Sequence, residues 1–186
     1  MALVIKGSSS GQVTLDVPAA AGTNTITIPA TSGTMLDTNS VIDKSKLPSG
    51  AIVQMIHNST STVSSTSGTT YVASNIAAQI TPRVAANKII VIACGSVYIS
   101  GGNQQSSTTI YRDSTNLGHA SRGIIQFWDI GGQFQGNASI MLTDHPNTTN
   151  AVTYAMYFRK LSSGGDAVHI GVDASTQYIT LLEVQV

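Results

Sequence analysis

Charge is scarce in this chain. Of its 186 residues only 10% are Asp, Glu, Lys or Arg, nine of each sign, and the formal net charge is zero. An ordinary soluble domain carries about 25%. A surface this neutral creates no field to gather a polyanion, which argues against nucleic-acid binding. It also resists self-association poorly, a property that a fixed part of an assembly tolerates better than a free enzyme. Cysteine is rarer still. Cys94 is the single one, so no disulfide framework can form within the chain. Lying in an apolar run, it reads as a small buried hydrophobe rather than a reactive thiol. No apolar stretch reaches the roughly 18 residues of a membrane span. The opening Met-Ala-Leu-Val-Ile-Lys is too short for a signal core. The expectation is a protein made in a cytoplasm and not inserted into a membrane.

Catalytic signatures are missing too. There is no G-x-S-x-G elbow, P-loop, HExxH or paired-cysteine pattern. The four histidines are His57, His119, His145 and His169. Asp144-His145-Pro146 reads as turn chemistry, since Asp beside a Pro-containing turn bonds local backbone. His169 alternates with Val168 and Ile170 and reads as a solvated strand histidine, although three copies near a symmetry axis would be able to hold an ion. No catalytic residue, metal ligand or cofactor is predicted. Asn58-Ser-Thr, Asn137-Ala-Ser and Asn147-Thr-Thr match glycosylation sequons, which carry no meaning in a protein made in bacteria.

What the chain does have is strand grammar. Ile89 to Cys94 is an unbroken apolar run rich in β-branched residues, read as a strand covered on both faces at the centre of a sheet. Past Gly95 the pattern alternates, with Val97 and Ile99 on one side and Ser96, Tyr98 and Ser100 on the other. Further strands are predicted at about 51–57, 71–80, 108–113, 124–130, 138–143, 152–160, 168–172 and 178–186. About nine strands between turn signals, with no helical periodicity, indicate an all-β sandwich or jelly roll spanning 51–186. In the last strand Tyr178, Thr180, Leu182 and Val184 share one face, and Ile179 and Leu181 the other. Both faces are partly apolar, which predicts one packed in the sandwich and one against another subunit.

Ahead of this head lie three short strands, at 2–6, 12–17 and 24–28. Val13, Leu15 and Val17 line one face, and Ile26 and Ile28 another. A module of about 36 residues is too small to complete its own core and is predicted to be an anchor that docks on a neighbour. Residues 37–50, with clustered charges and a Pro-Ser-Gly stop, form the predicted linker, with a helical turn at 41–46.

The phrase from Gly11 to Thr34, with Gln-Val-Thr-Leu-Asp-Val-Pro and Asn-Thr-Ile-Thr-Ile-Pro, resembles the opening module of tailed-phage virion proteins, those of cyanobacterial and marine phages especially. Ile80-Thr-Pro-Arg, Asn87-Lys-Ile-Ile-Val-Ile-Ala and the terminal Ile179-Thr-Leu-Leu-Glu-Val are similar to a domain at the ends of phage fibre-like and decoration proteins. The resemblance implies a jelly roll, trimeric in the manner of tumour-necrosis-factor-like domains. With no long shaft between anchor and head, it further implies a capsid decoration (cement) protein on the outer surface of the virion, partnered by itself and by the major capsid lattice. Val13, Leu15, Val17, Ile26 and Ile28 would then grip the shell, and Tyr178, Thr180, Leu182 and Val184 would lie at the trimer interface. The alternative is a short tail fibre that reads a host glycan through amide-rich loops, using Asn103, Gln104, Gln105, Trp128 and Gln133. Against that stands the expectation that Trp128 fills the core. A polysaccharide depolymerase is the third and weakest reading, because the carboxylates are loosely placed in loops.

Overall fold

The strand at the centre of the molecule runs from Lys88 to Ser100 without a break. Ile89, Val91, Ala93, Val97 and Ile99 point inward and are buried, as their spacing of two demands. The computed structural model describes residues 3–15, 22, 47–163 and 165–186. The chain divides into two units, residues 1–41 and 42–186.

In the first unit, β1 (Leu3–Lys6) and β2 (Gln12–Leu15) form an antiparallel pair. Leu3 lies opposite Leu15 and Ile5 opposite Val13. The turn between them is closed by the Gly7 N–H donating to the Gly11 carbonyl at 3.0 Å, with Gly11 at φ 80°. Val17, Ile26 and Ile28, the third predicted strand and the helical turn at 41–46 lie outside the described residues.

The second unit is a β-sandwich of two antiparallel sheets. Its strands are β3 (Ile52–Thr60), β4 (Ser64–Thr66), β5 (Val72–Ile80), β6 (Lys88–Ser100), β7 (Gln105–Arg112), β8 (Thr115–Asn116), β9 (Ile125–Trp128), β10 (Gln133–Asp144), β11 (Val152–Lys160), β12 (Val168–Ile170) and β13 (Gln177–Val184). In the six-stranded sheet, β10 pairs with one edge of β6 over its whole length. The other edge of β6 is shared, β13 taking residues 88–94 and β12 residues 97–99. Beyond them, β3 extends β13 and β4 extends β12. The five-stranded sheet is built likewise, with β11 between β5 and β7, and the far edge of β7 divided between β8 and β9.

The core is apolar and continuous across both sheets. Ile76, Ile80, Ile110, Tyr154, Met156 and Phe158 from one meet Ile89, Val91, Val97, Ile99, Ile140, Ile170, Ile179 and Leu181 from the other. Gly95 lets them approach. A Cβ there would stand 2.7 Å from Ile76 Cδ1, so the inward row of β6 has room for no side chain at that point.

Polar ties close two edges of the sandwich. Glu183, fully buried on the inner side of β13, accepts from the backbone N–H of Arg83 at 2.8 Å and from Asn87 Nδ2 at 2.7 Å through Oε1. Its Oε2 accepts from Gln54 Nε2 at 2.6 Å. A second tie joins the two sheets, where Asp144 Oδ2 accepts from Arg112 Nη1 and from the Tyr154 hydroxyl, each at 2.7 Å. Burial, with the bonded Asp144 carboxylate, holds the Tyr154 phenol well above its ordinary pKa, so it remains a neutral donor.

Candidate functional site

The predicted both-sided cover of the Ile89–Cys94 run is corrected by the structure. Only Ile89, Val91 and Ala93 are buried, whereas Ile90, Ile92 and Cys94 are half-buried on the outer face of the six-stranded sheet. Cys94 is thus not a core residue. Its thiol donates to Asn137 Oδ1 at 3.1 Å. The alternation within the run is real, but only its inner face packs against the five-stranded sheet.

On that outer face, register aligns the side chains in rows. Met55, Leu182, Ile90 and Thr143 form one; His57, Thr180, Ile92 and Met141 the next; Ser59, Tyr178, Cys94 and Ser139 the third. No Asp, Glu, Lys or Arg falls in these rows. Met55 is 64% and Met141 75% exposed. Four strands at about 4.8 Å and three rows at about 7 Å span a surface on the order of 400 Å². Five of its twelve positions are aliphatic, Met55, Leu182, Ile90, Ile92 and Met141, adjoining one another in the first two rows, and the others hold Thr, Ser, His, Tyr and Cys. All four residues predicted for a subunit interface, Tyr178, Thr180, Leu182 and Val184, point to this face, which also carries Ile90, Ile92, Met55 and Met141. Sequence reading passed over those four. The signal for Ile90 and Ile92 was present in the unbroken run, while nothing local distinguishes an outward Met from an inward one.

The amide-rich loops come together at one end of the sandwich. Asp129, 3% exposed, accepts from the Gly102 N–H through Oδ2 and from the Gly132 N–H through Oδ1, each at 3.1 Å. It thereby pins the turn 101–104 to the turn 129–132. Asn103, in the left-handed region at φ 57°, and Gln133 are exposed, and Gln105 is half-buried opposite Trp128. Gln104 is turned inward and only 3% exposed. Trp128 does not fill the core, contrary to expectation. It ends the four-residue β9 on its outward side and is 61% exposed, next to Ile130 at 80%. The inward position of β9 belongs instead to Phe127, whose ring lies 5.3 Å from that of Phe134.

The histidines stay apart from any ligand cluster. His57 Nδ1 lies 2.9 Å from Thr180 Oγ1, and the His169 ring lies 5.9 Å from that of Tyr98 on the same outer face. Among the described residues, no three of His, Cys, Asp and Glu gather in a way that would hold a metal ion. Compared with known proteins, the chain matches no family model, and no curated sequence is significantly similar to it.

Proposed function

We propose that this chain is a non-enzymatic structural protein of a tailed-phage virion: a homotrimeric capsid decoration protein whose sandwich is a jelly-roll head. The observation that carries the reading is the block of aliphatic side chains, Met55, Leu182, Ile90, Ile92 and Met141, on the outer face of the six-stranded sheet, within three rows that hold no Asp, Glu, Lys or Arg. The three rows together span about 400 Å², half of the roughly 800 Å² that each partner buries in a standard interface. The polar rows further along the same sheet, through Ser96, Tyr98 and Asn137, supply the rim. The resemblance of residues 11–34 to virion modules supports the site of action, and Val13, Leu15, Val17, Ile26 and Ile28 are the proposed grip on the shell. Three linked arms raise the effective concentration of each, so modest contacts add up to a firm clamp.

Sedimentation of the full chain, with and without Leu182→Lys, tests the assembly. The wild type should run as a trimer at micromolar concentration. A lysine forced into the apolar contact should weaken association by about 100-fold or more. A monomeric wild type, or a variant that stays trimeric, refutes it. Gold-labelled antibody on virions tests the place, with label over the whole head expected.

The exposure of Trp128 favours a second reading, a short tail fibre. An exposed indole beside two turns locked by Asp129 is a preorganised surface on which a sugar ring can stack. Label at the tail alone would select this reading over the first.

A further inference from the structure

The sandwich treats its sheet edges unequally. Two of its long edge strands carry irregularities. Between Ala155 and Tyr157, β11 has the single residue Met156 where β5 has residues 74–76. Between Glu183 and Val184, β13 has none where β3 has Val53. The extra residues thus lie on the edge strands, and bulges of this kind keep an edge from pairing with another chain. Side chains also occupy the backbone of β5. Asn58 Nδ2 donates to the Ala77 carbonyl at 2.7 Å, and the Asn75 N–H donates to Ser64 Oγ at 2.9 Å. The remaining edge strands, β4, β8 and β9, are only two to four residues long.

β10 has none of these guards. Its 12 residues pair one to one with β6 without a shift of register. It holds no proline, lysine or arginine, and its one charge, Asp144 at the far end, is bonded to Arg112 and Tyr154. Which of its backbone groups lie on the open side follows from β6. The Ser96 carbonyl accepts from the Gly171 N–H just past β12, so even-numbered residues of β6 turn that way and odd-numbered ones bond β10. Their partners are the even-numbered residues of β10, from Phe134 to Asp144. Gln133, Gln135, Asn137, Ser139, Met141 and Thr143 therefore turn both N–H and C=O to the free edge. All six are exposed, and no hydrogen bond among the described residues reaches those main-chain groups.

Such an edge takes an extended backbone and nothing else. We propose that β10 pairs antiparallel with β10 of a second copy across a two-fold axis, joining two six-stranded sheets into one. Centred on Ala138, this register sets Asn137 opposite Ser139, Gln135 opposite Met141 and Gln133 opposite Thr143, and it engages all six residues of each copy. Asp144 falls opposite Gly132, so no like charges meet. A strand of another protein would have to match β10 in length, straightness and neutrality, which a second copy does by identity. Hydrogen bonds with little apolar burial make a weak join, with a Kd on the order of 100 µM. The join goes beyond the proposed trimer and does not need it, because it uses the main chain at an edge and not the aliphatic block on the face.

Sedimentation of the full chain carrying Leu182→Lys, from about 10 µM to about 1 mM, tests the join apart from the trimer. This chain should pass from monomer to dimer over that range. Adding Ser139→Pro removes an N–H from the free edge and none from the ladder to β6, so the chain should melt like its parent but dimerise about tenfold or more weakly. Asn137→Lys with Ser139→Lys sets lysine against lysine across the axis and should abolish dimers. Mixing that chain with one carrying Asn137→Glu and Ser139→Glu should restore them as heterodimers. Amide exchange at Gln135, Asn137, Ser139 and Met141 should slow as the dimer forms. A Leu182→Lys chain that stays monomeric to about 1 mM overturns the inference. So do dimers that Ser139→Pro leaves intact, or lysine and glutamate chains that do not pair. A wild type that is monomeric at micromolar concentration refutes the trimer alone, and dimers with these properties would still uphold the join.

Discussion

Glu183 offers the sharpest test of how this sandwich is held. Its carboxylate is fully buried, with no cation among its bonded partners and every bond coming from an amide donor. Replacing it with alanine strands the Arg83 N–H and the Asn87 amide in a dry site and releases Gln54. Leaving two buried amide donors unpaired costs about 1–3 kcal/mol each, about 2–6 kcal/mol together. For a chain of this length each kcal/mol moves the melting temperature by roughly 2–4 °C, so Glu183→Ala should melt about 4–24 °C lower. Glu183→Gln keeps one acceptor for Arg83 and Asn87 but turns an NH2 toward Gln54 Nε2. Gln54 must then flip its amide and give up its 2.8 Å bond to the Thr81 carbonyl. That variant should lose only about 1–2 kcal/mol. Urea unfolding at fixed protein concentration measures both. A loss under about 1 kcal/mol for the alanine variant, or equal losses for the two, refutes the account of a carboxylate kept for its geometry.

Three further outcomes follow from the same structure. Gly95→Ala places a Cβ against Ile76 Cδ1 and should cost about 1–2 kcal/mol; in that background Ile76→Val, which removes the crowding methyl, should restore stability rather than lower it. Additive losses in urea titrations would show that the crowding is not there. Tyr154 has a raised pKa in the folded state, so the folded chain holds its proton where the unfolded chain releases it. Stability due to this group is fully present below about pH 10 and declines above it by at most about 1.4 kcal/mol per pH unit, a slope that Tyr154→Phe should remove. Matching slopes for the two proteins between pH 10 and 11.5 would contradict this. Finally, replacing Val13, Leu15 and Ile26 together by Ser should leave the oligomer unchanged in sedimentation but abolish its recovery on particles; full occupancy of those particles would end the clamp idea.

Alternation made the long strands readable. The strands Lys88–Ser100 and Val152–Lys160 are legible from their apolar inward positions, although the apolar outward Ile90 and Ile92 hide the alternation in the first half of β6 and suggest cover on both faces. β7 was placed three residues late, since its inward row opens with Ser106 and Thr108, both buried, and a polar run gives no period to read. The first half of β10 was missed for a like reason. Gln133-Phe-Gln-Gly-Asn carries too few apolar residues to announce a strand, and its pairing with β6 decides the matter. β4 and β8, at three and two residues, are below what any local pattern can mark. At the candidate sites, sequence assigned the outward row of β13 to a single face. It gave no means of knowing that Met55 and Met141 reach the same surface, because that depends on register between strands far apart in sequence. Trp128 escaped for the opposite reason, its size suggesting burial when its parity on β9 sends it outward.

The position of β13 bears on the order in which the molecule can be made. The first strand of the sandwich, β3, has no strand partner in its sheet except β13, and β13 is the last strand described. A nascent chain that has emitted β3 to β12 therefore holds β3 without a sheet neighbour and leaves one edge of β6 bare along residues 88–94. Pairing over such separations closes slowly, and bare edges meanwhile invite wrong partners. The sheet cannot zip up as it leaves the ribosome. Its completion waits for the final strand to slot between two that were synthesised long before, which makes residues 177–184 the keystone of folding as well as a wall of the outer face.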